Sequence, residues 1–203
     1  MKTIQNLITE KIEQADCTLC KESSQPVGAQ TAYGSVIIYK IGDKINGWFA
    51  TLSPKTGGTE NDFTIQLMSH QHLTHFCQID NYPGCAENYG IAFATLSRAL
   101  TTVMADENQQ FKTSADTRET SESVATYGKC TNWKDKKEHL HIKIFPFRGV
   151  IGQPYTVDST FEKKTVHKDA DGEFVKMLPV KKVMMSKERF NYIKEKLISL
   201  GNT

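Results

Sequence analysis

The sequence predicts an α+β fold, and the prediction rests on the order of its elements. Segments rich in β-branched and aromatic residues are interrupted by segments whose apolar residues recur at helical spacing. The strands dominate, helices are inserted between them, and no internal repeat is visible. The 203 residues suffice for one compact domain with a sizeable core, or for one domain with a small appendage.

Composition predicts a soluble globular protein. Hydrophobic residues make up 38% and charged residues 24%, and a net charge of +2 is too weak to indicate a nucleic-acid or membrane partner. No apolar run approaches the roughly 20 residues that span a bilayer, and the first ten residues lack the apolar stretch of a secretory signal. Five cysteines, an odd number, do not suggest a secreted disulfide framework. We therefore expect a cytoplasmic protein.

The first half of the chain predicts helices on either side of three strands. Apolar spacing marks the helices, β-branched and aromatic runs mark the strands, and glycine, proline and aspartate mark the turns. In order, these are a helix over 3–14, a hairpin over 33–52 turning at Gly42 and Asp43, a loop over 54–58, a strand over 63–68, a helix from about His72 and a longer helix over 91–106.

The second half predicts two further hairpins and a terminal helix. Residues 113–123 are almost wholly polar and are predicted to form a mobile loop. The remaining elements are strands over 124–133 and 138–147 joined by a charged turn over 134–137, a hairpin around 169–172, and a helix that Ser186 caps and Gly201 closes.

The strand over 138–147 carries the first candidate functional residues. Because side chains alternate along a strand, Leu140, Ile142 and Ile144 are predicted to face the core. The opposite face then presents His139, His141 and Lys143. Three nitrogen-bearing side chains in a row can meet an anion at fixed geometry. The same pattern is also typical of the solvent-facing side of an edge strand.

A cysteine pair and a histidine-rich stretch provide the second signal. Cys17 and Cys20 are separated by two residues, and His70, His72 and His75 follow in mid-chain. Two thiolates and two imidazoles complete the shell of a tetrahedral zinc ion. The cysteines could instead be small buried residues or, as a weaker alternative, a redox pair, and the histidines could form a polar face on a loop and first helical turn.

The order of these segments resembles the histidine triad superfamily. The likeness runs from about residue 17 to residue 148 and includes Cys17-x-x-Cys20, the 48–54 segment, the 72–76 segment and His139-x-His141. It implies a histidine-triad-like antiparallel sheet with flanking helices. The catalytic nucleotide-binding domain would cover 1–150, and a C-terminal hairpin-helix extension over 151–203 would pack on the same domain.

The resemblance also implies roles for individual residues. His141 matches the nucleophile of a nucleotide hydrolase or nucleotidyltransferase, which forms a covalent nucleotidyl-histidine intermediate on a dinucleoside polyphosphate or related conjugate. The implied ligands of a structural zinc ion are Cys17, Cys20, His72 and His139, with His70 and His75 as weaker matches for the mid-chain position. Members are commonly dimers, so a homodimer is implied, whereas a nucleic-acid partner is not.

This chain departs from the family pattern near the proposed substrate. Lys143 replaces the third histidine and keeps a cationic donor for a phosphate oxygen. The small-residue stretch before the strand is replaced by a segment containing Lys136, and Asn132 lies nearest to the family's asparagine. Lys143, Lys136 and Asn132 are the candidate substrate contacts. The departures leave an alternative, a catalytically impaired, zinc-stabilised module that binds nucleotide or RNA.

Overall fold

The computed structural model describes residues 17–57, 63–107, 122–127, 139–146, 161–170, 172–179 and 182–202. The predicted helix over 3–14, the charged turn over 134–137, and Asn132 and Lys136 lie outside these residues. The same holds for most of the predicted loop over 113–123, whereas residues 122 and 123 belong to a strand and correct that prediction.

Strands and helices alternate irregularly along the described chain. In order, the elements are helix α1 (Thr18–Glu22), strands β1 (Val36–Ile41), β2 (Trp48–Leu52), β3 (Lys55–Gly57) and β4 (Ile65–Ser69), a 3-10 helix (Phe76–Asn81), helix α2 (Cys85–Glu107), strands β5 (Glu122–Tyr127), β6 (His141–Pro146), β7 (Phe161–Asp169), β8 (Gly172–Pro179) and β9 (Lys182–Met184), and helix α3 (Lys187–Gly201).

Among the described residues, five strands form one antiparallel sheet in the order β1-β2-β4-β6-β5. β6 pairs with β4 on one side and with β5 on the other, so it is an interior strand and not the edge strand of the alternative interpretation. Two smaller antiparallel pairs join β3 to β9 and β7 to β8. Helices together with this sheet confirm the α+β class.

One face of the large sheet packs against helices α2 and α3 to form the core. Alternate side chains of each strand point into this core. Leu67 of β4 lies opposite Ala50 of β2 and Ile142 of β6, and all three are fully buried. Leu140 and Ile144 are also fully buried, as the sequence predicted. The opposite face carries Phe49, Met68, His141 and Lys143 in matching register.

Helix α2 follows the predicted apolar stripe but begins six residues earlier than residue 91. Its buried face contains Ala92, Leu96, Ala99, Leu100 and Val103. The first turn is anchored by tertiary structure, because the indole N–H of Trp48 donates to the carbonyl of Cys85 at 2.9 Å. That contact lies 37 residues away in sequence, so local periodicity could not reveal it.

Helix α3 packs on the same core. Ser186 caps it as predicted, with its hydroxyl accepting from the N–H of Arg189 at 3.2 Å. Ile193 and Leu197 are fully buried. Arg189 and Lys196 form ion pairs with Glu107 and Asp106 at the end of α2. The division into a domain over 1–150 and an extension over 151–203 stays a prediction.

Local predictions fail at three further places. Residues 55–57 form β3 inside the predicted loop, because β9 supplies a partner for their backbone. No helix starts at His72, and a 3-10 helix begins only at Phe76. His139 and Leu140 precede β6 and do not belong to it. None of the helices within the described ranges has the length and apolar character needed to cross a bilayer.

Candidate metal centre and adjacent imidazole

Four side chains predicted as zinc ligands lie together at one end of the sheet. Cys17 and Cys20 flank the start of α1, His72 follows β4, and His139 immediately precedes β6. One ligand atom from each lies within 4.8 Å of every other, and these residues could hold a metal ion.

The distances between these atoms match the edges of a tetrahedral site. The Sγ of Cys17 lies 3.4 Å from the Nδ1 of His139, and the Sγ of Cys20 lies 3.4 Å from the Nδ1 of His72 and 3.6 Å from that of His139. Metal bonds of about 2.3 Å to sulfur and about 2.0 Å to nitrogen place tetrahedral ligand atoms roughly 3.5 Å apart. The residues present therefore fit a metal with little rearrangement.

The backbone sets the orientation of the His139 ring. Its Nε2 lies 2.8 Å from the carbonyl oxygen of Ser69, and the side chain is fully buried. A carbonyl can only accept, so Nε2 carries the proton and donates it. The lone pair of Nδ1 then points at the two thiols, which is the tautomer that a metal requires.

The environment of Cys17 favours its thiolate form. The neighbouring Cys20 thiol, opposed by burial and assisted by the His139 and His72 rings, holds the pKa of the Cys17 thiol far below its ordinary value. Thiolate is the form that binds metals. Cys17 is thus favoured in the form in which it would bind a metal.

Adjacent antiparallel strands bring the two histidine segments together. The pairing of Met68 with His141 aligns the end of β4 with the start of β6. The chain leaves the sheet there, and the N–H of Leu140 donates to the carbonyl of Leu73 at 2.6 Å. His72 and His139 therefore lie side by side, with ring centroids 5.3 Å apart.

Short contacts hold α1 beside the sheet. The ammonium group of Lys40 in β1 donates to the carbonyls of Ser23 and Gln25 at 2.6 and 3.0 Å. The buried carboxylate of Glu22 accepts from the N–H of Ala32 at 2.9 Å. These bonds place the cysteine pair at the end of the sheet where the histidines emerge.

His70 and His75 lie outside the cluster. The Nδ1 of His70 is 2.8 Å from the carbonyl oxygen of Asp43 and holds the turn between β1 and β2. The Nδ1 of His75 lies 2.9 Å from the hydroxyl of Thr74, and the backbone N–H of His75 donates to the side chain of Gln78 at the start of the 3-10 helix. The structure thus brings His72, the preferred mid-chain match, to the two cysteines.

His141 stands two residues after the metal cluster, on the sheet face away from α2. It is half-buried, and its Nδ1 lies 3.0 Å from the carbonyl oxygen of His139. Nδ1 must donate to that oxygen, so the neutral ring carries its lone pair on Nε2. Burial, together with the nearby positive charge of Lys143, lowers the pKa of His141 and favours this neutral form.

Of the three predicted substrate contacts, Lys143 is the one that lies within the described residues. Lys143 is half-buried on the same sheet face as His141. Gln66 lies directly opposite Lys143 in β4, a neighbour that sequence reasoning missed because register is set by strand pairing. The Ser69 carbonyl at His139 was also missed, since a backbone acceptor leaves no signal in the sequence.

A metal held by all four ligands would have its tetrahedral shell filled by protein, with a neutral imidazole presented beside it. The site therefore combines four possible metal ligands with one neutral imidazole outside that set. Comparison with protein-family models, with curated proteins and with solved structures returns no match for this chain.

Proposed function

We propose that this protein is a nucleotide hydrolase or nucleotidyltransferase of the histidine triad kind, with His141 as its nucleophile and a structural zinc ion beside it. The supporting observation is the bond from the Nδ1–H of His141 to the carbonyl of His139 at 3.0 Å. It selects the tautomer in which Nε2 is nucleophilic, and it attaches that ring to a residue of the metal cluster.

The donor set supports zinc as the metal. Two thiolates and two imidazoles suit zinc, whereas calcium and magnesium prefer oxygen ligands. When bound, zinc would supply a structural cross-link between α1, the segment after β4 and the residue preceding β6. Cys17, Cys20, His72 and His139 would hold it, leaving the chemistry to other side chains.

His141 would transfer a nucleotidyl group in two displacements. In the first, the Nε2 lone pair bonds to the α-phosphorus of a dinucleoside polyphosphate or related conjugate. The bond to the leaving oxygen breaks, and the leaving group departs with that electron pair. In the second, an oxygen of water or another acceptor attacks the same phosphorus. The phosphorus–nitrogen bond breaks, its electron pair returns to Nε2, and the acceptor proton passes to solvent.

Two groups would assist the nucleophile. The His139 carbonyl keeps the Nδ1 proton throughout and stabilises the positive charge that the imidazole gains on attack. Lys143, two residues further along the same face, would balance negative charge on the phosphoryl oxygens. Lysine can do this as a point charge in place of the third histidine.

Replacement of the nucleophile tests the proposal. His141→Asn should lower kcat on diadenosine tetraphosphate by at least about 1,000-fold, while zinc content and thermal stability stay unchanged. Wild-type protein incubated with substrate at neutral pH should gain the mass of one adenylyl group, and the variant should not. His75→Asn, an exposed histidine outside the cluster, is the matched control.

Other outcomes would contradict the proposal. Turnover that survives His141→Asn would exclude His141 as the nucleophile. Nucleotide binding by calorimetry without any adduct or turnover would favour the second candidate, a binding module that lost catalysis. The presence of Lys143 where the family has a third histidine motivates that candidate. RNA binding that weakens steeply with salt would indicate the RNA-binding form of it.

A further inference from the structure

Two rows of side chains cross the sheet face that carries His141. Strand register aligns the first row through β2, β4 and β6, and the second lies beside it, two residues along each strand. The first row is Phe49, Met68 and His141, and the second is Thr51, Gln66 and Lys143. His141 therefore lies between the apolar residues of this row and Tyr127, its partner in β5, and polar side chains occupy the next row.

Gln66 is the unexplained member of the polar row. Its strand neighbours Ile65 and Leu67 are fully buried on the other face, whereas Gln66 is half-buried on this one. Within the part of the chain that the structure describes, its amide makes no hydrogen bond. Solvent reaches this amide, so a bound ligand can take the place of the water that it would otherwise contact.

Cross-strand geometry places Gln66 within reach of the group that His141 would attack. Directly opposed residues have Cβ atoms about 5 Å apart, and diagonal neighbours lie roughly 7–8 Å apart. Gln66 is directly opposite Lys143 and diagonal to His141. His141 and Lys143 are separated by two residues on β6, or about 7 Å. The three side chains are therefore close enough to contact one phosphoryl group bound over this face of the sheet.

We infer that Gln66 contacts the substrate, and this inference rests on the proposed function. Its amide N–H donates to one non-bridging oxygen of the phosphoryl group that His141 attacks, and Lys143 donates to the other. One cation and one neutral amide match the single negative charge of a phosphodiester better than the double charge of a terminal phosphomonoester. Gln66 thereby directs His141 to an internal phosphorus.

Two substitutions at Gln66 test the contact. Gln66→Leu removes the donor at similar size, and Gln66→Glu keeps the shape but places a negative charge against the phosphate. Gln66→Leu should lower kcat/KM on diadenosine tetraphosphate by about 10- to 100-fold, the range for a hydrogen bond to a charged group. Gln66→Glu should lower it further, and Gln30→Leu, at an exposed glutamine, should have no effect.

A binding measurement separates this inference from the proposed function. Calorimetry with a non-hydrolysable phosphonate analogue of diadenosine tetraphosphate should show a Kd raised about 10-fold or more in both Gln66 variants, with zinc content and melting temperature as in wild type. If wild type is active and both variants match it, the inference is overturned and the proposed function stands. If wild type is inactive, the function is overturned, and a Kd for the analogue that is unchanged in both variants would overturn the inference as well.

Discussion

His139 connects the candidate metal site to His141 through three of its own atoms. Its Nδ1 faces the two thiols, its Nε2 donates to Ser69, and its carbonyl accepts from His141. A change in the position of this one residue would move both the candidate ligands and the ring of His141. Under the proposed function, this coupling would explain why a structural metal lies so close to the attacking side chain.

At the residue scale, the sequence predicted the metal-binding side chains better than the backbone carbonyls that orient them. The ligands Cys17, Cys20, His72 and His139 are visible as residue types at characteristic spacing, and the structure brings them together. The carbonyls of Ser69 and His139, which select the two histidine tautomers, are backbone atoms. Every residue carries such a group, so only the tertiary structure shows which carbonyls are used.

Asp43 allows a pH prediction that does not involve the metal. The N–H groups of Asn46 and Ile45 donate to its exposed carboxylate and hold its pKa below the ordinary value of 3.8. A lowered folded-state pKa means that the ionised group stabilises the fold above the unfolded-state value. This stabilisation is lost as the pH falls from about 4 through the lower folded-state pKa.

Asp43→Asn provides the comparison, because asparagine keeps an acceptor oxygen but does not ionise. The difference in free energy of unfolding between wild type and Asp43→Asn should be constant above about pH 5 and shrink below pH 4. Urea titrations at several pH values measure it, and metal release affects both proteins equally. A difference that is independent of pH would contradict this account of the turn.

At the element scale, apolar periodicity was most reliable where a helix buries a wide stripe. The stripe of α2 and the capped start of α3 were both predicted, and the structure confirms them. Short elements were predicted poorly. β3 exists because β9 pairs with it, and the 3-10 helix begins where the His75 cap allows. Their stability comes from partners distant in sequence, so local patterns carry little information about them.

The two sides of α2 should respond differently to truncation. Leu96 is fully buried against the sheet, so Leu96→Ala should lower the free energy of unfolding by about 2–5 kcal/mol through lost burial and the cavity left behind. Ile91 is 46% exposed on the same helix, and Ile91→Ala should change the free energy of unfolding by less than about 0.5 kcal/mol. Urea unfolding in saturating zinc measures both, and similar losses would show that the assigned faces are wrong.

At the scale of the whole molecule, the four candidate metal ligands come from distant parts of the chain. Cys17 and His139 are 122 positions apart, yet their ligand atoms are 3.4 Å from each other. A metal bound there would close long loops of the unfolded chain and bind only the folded form. Metal binding should therefore contribute directly to folding stability.

Removal of the metal should lower the melting temperature. A ligand present at 100 times its Kd stabilises by about 2.7 kcal/mol, which corresponds to roughly 5–10 °C for a chain of this size. Excess chelator should produce that decrease, and added zinc should reverse it. His72→Asn should melt lower and be insensitive to chelator, whereas His75→Asn should respond as wild type does. A wild-type melting temperature unaffected by chelator would argue against a structural metal.

The sequence by itself determined the mixed class, the buried faces of the long helices and the set of metal-binding residue types. These features depend on the chemistry of side chains at short or regular spacing. Only the tertiary structure decided that β6 is an interior strand, that His139 leaves the sheet to join the cysteines, and that Gln66 lies opposite Lys143. Each of these depends on pairing between strands far apart in the chain, where the stabilising hydrogen bonds come from backbone groups that all residues share.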